Sequence, residues 1–194
     1  AQEIVNECWR SIDGYINYQV SNLGRVRNAN TGRILKGSRN GVGHLTVSLS
    51  KDKNSSTQAV HRLVAREFLE NPDNKSLVDH IDHDKTNNNI TNLRWATQSE
   101  NGANKQLQAN KSSKYKGVFL RKRSQKWQAQ IKYKGKTIYI GQFANEIDAA
   151  KAYNAKAIEL FGEYANLNKF DDDNTVDYDD EDESETDDTD ETTE

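Results

Sequence analysis

The stretch Asp79–Asn101, DHIDHDKTNNNITNLRWATQSEN, decides how this chain is read. Asp79 and His80 are adjacent, Asn92 follows Asp79 by 13 residues, and Asn101 follows it by 22. Hydrolysing a phosphodiester needs an activated water, charge stabilisation on the phosphorane-like transition state, and help for the leaving 3′ oxygen. A neutral imidazole can supply the first and a divalent ion the other two. The Asp79 carboxylate and the Asn101 amide oxygen are hard donors, which suit Mg2+ (or Mn2+) far better than zinc. On one strand Asp79 and His80 would project to opposite faces, unless the strand ends or bulges at that pair.

Working outward, SLVDHI (Ser76–Ile81) reads as a strand, Asp82–Asn89 as a loop too polar to bury, and NLRWAT (Asn92–Thr97) as a second strand. Thr97-Gln98-Ser99-Glu100 has the capping-box spacing, so a helix opens there with Asn101 in its first turn or so. Upstream, VHRLVAREFLE (60–70) places Leu63, Val64 and Phe68 on one helical face and stops at Asn71-Pro72. His61 in that helix reads as a packed or hydrogen-bonded side chain, and His83 as a loop residue that could touch phosphate. Residues 1–58 read as a β-rich module: strand-like runs flank Ser21-Asn22-Leu23-Gly24, GRILKGS continues them, and Leu45, Val47 and Leu49 alternate with polar neighbours. Lys105–Lys114 reads as a basic linker. Beyond it, KGVFLRK, KWQAQIKY and KTIYIGQF read as three strands, with turns at Ser124-Gln125 and Lys134-Gly135-Lys136. An Ala-rich helix over Asn145–Phe161 should bury Ile147, Ala150, Tyr153, Ala157 and Phe161. Trp127 and Tyr153 belong to the core on this reading. The expected class is α+β, with units at 1–58, 59–108 and 109–169 and an acidic tail at 170–194.

The formal charge of −3 conceals a split. Residues 171–194 hold 15 Asp or Glu and no Lys or Arg, which leaves 15 acidic against 27 basic residues in 1–170, a body of +12. So basic a body implies a polyanionic partner, most simply nucleic acid. The tail has almost no apolar side chain to offset ordering entropy and should be disordered. Its charge nearly cancels the body's, which fits either a solubilising tail or a DNA mimic that occupies the binding groove in cis. A single cysteine, Cys8, excludes internal disulfides and Cys-rich zinc sites and fits a reducing compartment. No apolar run reaches the roughly 20 residues that span a bilayer. No signal peptide is visible, and Ala1 is consistent with a removed initiator Met.

These residues also carry resemblances. Asp79–Asn101, with VHRLVAREFL before it and NLRWATQSEN within it, resembles the HNH (ββα-metal) nuclease motif of phage and intron-encoded homing endonucleases. The resemblance implies that His80 is the general base, that Asp79 and Asn101 bind the metal, and that Asn92 fixes the motif loop. Asn101 stands where many members carry His. YKGV (115–118), KWQAQI, IYIGQF, the EIDAAKAYNAKA helix and Leu167-Asn168 resemble the DNA-binding domain of plant ethylene-response-factor (Apetala-type) proteins. That implies a sheet laid in the major groove of double-stranded DNA, with Lys116, Arg121, Gln130, Lys132 and Tyr139 as candidate contacts. Phe119 and Thr137 stand where that family carries arginine. Residues 9–36 resemble a short N-terminal module of homing nucleases, in which Arg25, Arg27, Arg33 and Lys36 could track the phosphate backbone.

The implied activity is a metal-dependent, sequence-preferring DNA endonuclease in a bacterial or phage-infected cytoplasm, associated with the nucleoid. The alternative is a DNA-binding regulator with a degenerate nuclease centre. RNA binding lacks an aromatic signature here, and oligomeric state stays open.

Overall fold

The computed structural model describes residues 6–105 and 112–170. The expected disorder of the acidic tail and most of the expected linker lie outside these residues. Within them the protein is α+β, built from antiparallel sheets and short helices. No helix among the described residues is long and apolar enough to cross a membrane.

The N-terminal part is two successive three-stranded meanders. The first comprises β1 (Trp9–Ile12), β2 (Tyr15–Ser21) and β3 (Val26–Asn28), the second β4 (Ser38–Arg39), β5 (Leu45–Lys51) and β6 (Asn54–Ala59). Asp52 and Lys53, both at positive φ (49° and 65°), form the two-residue turn between β5 and β6. Such turns match the right-handed twist of the strands they join. The strand expected in GRILKGS is reduced to an isolated bridge between Arg27 and Ile34 and the short β4. Gly37 breaks the run where the chain passes so close to Leu45 that a Cβ would lie 2.7 Å from its Cδ1.

Helix α1 (Val60–Phe68) follows β6 and buries Val60, His61, Leu63, Val64 and Ala65. Its apolar stripe joins Ile12, Val20 and Val26 of the first meander, Val47 and Leu49 of the second, and Leu93 downstream in one core. The units expected at 1–58 and 59–108 thus share a hydrophobic interior. Strands β7 (Leu77–His80) and β8 (Leu93–Ala96) pair antiparallel, with Asp79 opposite Arg94 and His80 opposite Leu93. Helix α2 (Gln98–Asn104) completes a ββα unit, and Thr97 and Glu100 form the expected capping box. Asn92 lies in a 3-10 turn (Ile90–Asn92) just ahead of β8.

The C-terminal unit has β9 (Val118–Arg121), β10 (Lys126–Tyr133) and β11 (Lys136–Phe143), with β10 central, and helix α3 (Glu146–Phe161) across one face. Asn145 caps α3 by accepting from Asp148 N at 2.8 Å. The helix buries Ala149, Ala150, Tyr153, Ala157 and Phe161. Ile147 does not join them; it is 47% exposed. At 100° per residue it sits about 90° from the centre of that stripe, and Ala149 takes the place next to the sheet. Gly117 (φ 74°) lets the chain pass Tyr153, whose ring would lie 2.1 Å from any Cβ there.

Candidate active site

Asp79 sits on the face of β7 that α2 covers. Arg94, directly across the ladder, donates from Nε (3.1 Å) and Nη2 (3.0 Å) to Asp79 Oδ2. Asn104, in the last turn of α2, donates from Nδ2 to both carboxylate oxygens, at 3.1 and 2.9 Å, and to the His80 carbonyl at 3.1 Å. Asp79 and Asn104 are each 6% exposed, so this carboxylate is buried but paired. Asn101, selected by sequence spacing, lies one turn earlier on α2, and its side chain has no hydrogen bond among the described residues. Asn104 was missed, though its i+3 relation to Asn101 places it on the same side of the helix.

His80 ends β7 and points away from Asp79, toward α1 and the motif loop. The strand does stop at this pair, yet the two side chains take opposite sides, and Asn104 links them by binding one carboxylate and the other residue's carbonyl. His80 Nε2 lies 3.0 Å from Asn88 Oδ1. That oxygen can only accept, so Nε2 donates to it, and in the neutral ring Nδ1 is then the acceptor. The His80 ring packs with His61 (centroids 5.1 Å apart) and His44 (5.7 Å), themselves 4.6 Å apart. Burial, then His44, His80 and Arg62, push His61 down to about 3. Burial, then His80, Lys85 and Arg62, also lower His44. Both neighbours are therefore biased toward the uncharged form. His61 is packed, as its place in the helix implied, and its buried Nδ1 has no hydrogen-bond partner among the described residues.

The polar loop between the strands is tied at both ends by Asn92. Its Oδ1 accepts from Asp82 N (3.0 Å), and its Nδ2 donates to Asp82 Oδ1 and the Asn87 carbonyl, both at 2.8 Å. Burial alone would raise the Asp82 pKa, but bonds from Asn87, Asn92 and Asp84 N outweigh it and hold the carboxyl below its ordinary value. The first meander supports the other side of the loop. Gly24 (φ 81°) lies so close to Asn88 that a Cβ would stand 2.6 Å from the Asn88 Cβ, and Ile90 N donates to the Asn22 carbonyl at 2.8 Å. His83 also adopts positive φ (68°) and lies 3.5 Å from Asn166 Nδ2.

Among the described residues no group of three His, Cys, Asp or Glu side chains could hold a metal ion. The donor chemistry nevertheless fits a hard divalent ion. Mg2+ keeps several waters and needs only one or two protein carboxylates together with substrate phosphate. Asp79, whose oxygens here accept from Arg94 and Asn104, and the Asn101 amide, which has no side-chain hydrogen bond among the described residues, have the donor types such a set requires.

The candidate DNA contacts divide. Arg121, Gln130, Lys132 and Tyr139 share the sheet face opposite α3, with Gln130 paired to Tyr139 and Lys132 to Thr137 across the ladder. Tyr139 is 59% exposed, and Arg121 Nε donates to Gln128 Oε1 at 2.6 Å. Lys116 departs from its expected place. Its ammonium bonds the carbonyls of Ala103 and Lys105 (2.7 Å to the latter), where the C-terminal end of α2 offers unpaired acceptors. Arg25 forms a two-bond pair with Glu7, 2.8 Å at Nε, and Arg27 stacks on Trp9 at 4.1 Å.

Comparison with known proteins finds related sequences over the same residues. Residues 58–103 match the HNH endonuclease family model, and residues 7–50 match the NUMOD4 motif. The DNA endonuclease I-HmuI of Bacillus phage SP01 is 43% identical over 97 residues, 50% of this chain and 56% of that protein. An uncharacterised HNH endonuclease of Acanthamoeba polyphaga mimivirus is 43% identical over 93 residues, 48% of this chain and 28% of its own length. A solved structure titled for DNA binding and cleavage by the HNH homing endonuclease I-HmuI aligns with 47% of this chain and 53% of that one, at 43% identity and a TM-score of 0.45. An AP2-like ethylene-responsive transcription factor of Arabidopsis thaliana is 38% identical over 58 residues, 30% of this chain and 12% of that protein. The ββα unit thus matches the HNH endonuclease family model and the segment before it the NUMOD4 motif, and the chain spans little more than half, or less, of each of these relatives.

Proposed function

We propose that the protein is a divalent-metal-dependent endonuclease of the homing type, acting on double-stranded DNA with Mg2+ or Mn2+. The observation that carries this reading is the arrangement around β7: a buried carboxylate on one side, and on the other an imidazole whose Nε2–H is fixed by Asn88. His80 Nδ1 is the atom left to take a proton from water. Asn88 orients the ring, and His44 and His61, both biased toward neutrality, add no standing positive charge against the proton His80 acquires. Asp79 and Asn101 would hold the ion, which when bound supplies charge stabilisation and help for the leaving oxygen. Asn92 keeps the loop closed around His80. The outer face of the C-terminal sheet, with Arg121, Gln130, Lys132 and Tyr139, serves as an Apetala-type reader, while Arg25 and Arg27 lie along the N-terminal module. The expected location is the nucleoid of a bacterial or phage-infected cell.

The test is supercoiled plasmid incubated with the protein in Mg2+ and in EDTA. Metal-dependent relaxation or linearisation is expected. On a substrate carrying the bound site, retardation without cleavage in either ion would favour a DNA-binding regulator instead.

A further inference from the structure

Both residues that hold Asp79 are themselves contacted by one short segment of the C-terminal unit, Arg94 through its guanidinium and Asn104 through its backbone carbonyl. Residues 162–166 follow α3 and return to the ββα unit. The Glu163 carbonyl accepts from Arg94 Nη1 at 2.8 Å. The Tyr164 ring lies against the Arg94 guanidinium, 4.1 Å from centroid to Cζ. Asn166 Nδ2 donates to the Asn104 carbonyl at 3.1 Å. Tyr164 is in turn fixed by its hydroxyl, which donates to the Trp95 carbonyl at 2.8 Å and accepts from Lys75 Nζ at 3.3 Å. Lys75 completes the clamp through Glu100 at 3.1 Å.

The consequence concerns Arg94. Its Nε and Nη2 point at Asp79, its Nη1 at the Glu163 carbonyl, and its face rests on Tyr164. A guanidinium gripped on its third nitrogen and one face cannot swing away without losing those contacts. Yet it occupies Asp79 Oδ2, and a divalent ion arriving at this carboxylate meets a like charge already bound to it.

On the reading given under Proposed function, we infer that the 162–166 segment is a strap, with Tyr164 as its positioning residue, that keeps Arg94 on Asp79 and raises the metal concentration the centre requires. The C-terminal unit thereby sets the readiness of the nuclease centre as well as presenting a DNA-facing sheet. A movement of that unit that lifts Tyr164 would release Arg94 and favour metal binding.

The test is Mn2+ binding by the full chain without DNA, followed as free Mn2+ by electron paramagnetic resonance, with folding checked by circular dichroism. Tyr164→Ala should bind Mn2+ roughly three- to tenfold more tightly, the scale of one lost cation–π contact. Tyr164→Phe keeps the ring but loses the hydroxyl that fixes it, and should fall between wild type and Tyr164→Ala. A merely structural role predicts weaker binding. Equal or weaker binding in folded Tyr164→Ala overturns the inference. Asp79→Ala separates this from the parent reading: Mn2+ binding that survives it removes the metal role of Asp79 and leaves the strap to a metal-free measurement. That measurement is solvent exchange of the Arg94 Nε proton by NMR. Faster exchange in Tyr164→Ala is expected, and unchanged exchange overturns the strap.

Discussion

The two faces on which this protein displays polar side chains are built in opposite ways. Around β7, Asp79, His80, Asn88, Asn92 and Asn104 are all buried, and each is tied to a named partner. On the outer face of the C-terminal sheet, Lys132 and Tyr139 are exposed, and the hydrogen bonds there run between neighbouring side chains such as Arg121 and Gln128. Chemistry on a water molecule needs groups fixed before the substrate arrives. Contact with a polyanion needs charge and reach, and tolerates mobile side chains. The centre is built from buried, hydrogen-bonded side chains, whereas Lys132 and Tyr139 on the outer face of the sheet stand open to solvent.

Changes at the centre should therefore be severe and specific, and changes at the sheet mild and general. The largest effect is expected for His80→Ala, which should lower single-turnover cleavage by about 10²–10⁴-fold and leave DNA affinity unchanged in a gel-shift titration. Asn92→Ala removes three hydrogen bonds that close the loop and should cost about 2–4 kcal/mol in urea unfolding, since it leaves buried partners unsatisfied. Gly24→Ala lies outside the ββα unit altogether. It meets Asn88 at a positive φ, so it should cost about 1–3 kcal/mol and reduce cleavage by displacing the His80 partner. Cleavage at the wild-type rate would show that the first meander does not position that loop.

A fourth change tests the histidine packing. His61 is held neutral in the fold, down to about 3 from 6.5. Its folded pKa is depressed, so its contribution to stability is fully present above 6.5 and is lost as pH falls from 6.5 toward 3. The unfolding free energy of wild type relative to His61→Phe should fall across that window, and a flat difference would contradict it. The smallest effect belongs to Lys132→Ala, which should weaken DNA binding a few-fold and reduce the salt slope by about one. A large loss of cleavage at saturating protein would break the division between the two faces.

The division also explains what the sequence disclosed. The ββα order was legible because a capping box, two short strand runs and a polar loop each leave a local signature. Asp79, His80 and Asn92 stood out because they mark those boundaries. Asn88 did not, since it is one of three consecutive asparagines and only Gly24, from the first meander, distinguishes it. Arg94 reads as a strand cation until the ladder sets it opposite Asp79. His44 reaches His80 from the start of β5 only through folding. Lys116 is a candidate DNA contact by the Apetala-type resemblance, and its bonds to the carbonyls at the end of α2 become visible only in the fold. On α3, the Ala-rich helix and most of its buried stripe are readable from helical spacing, but Ile147 falls at the edge of that arc and Ala149 takes the buried place.

The measurement that tests the central claim most directly is cleavage and binding recorded side by side, in Mg2+, for wild type, His80→Ala and Lys132→Ala on one DNA. The account predicts that His80→Ala binds like wild type and does not cut, while Lys132→Ala binds more weakly and cuts at the wild-type rate once bound. Wild-type cutting by His80→Ala would contradict it.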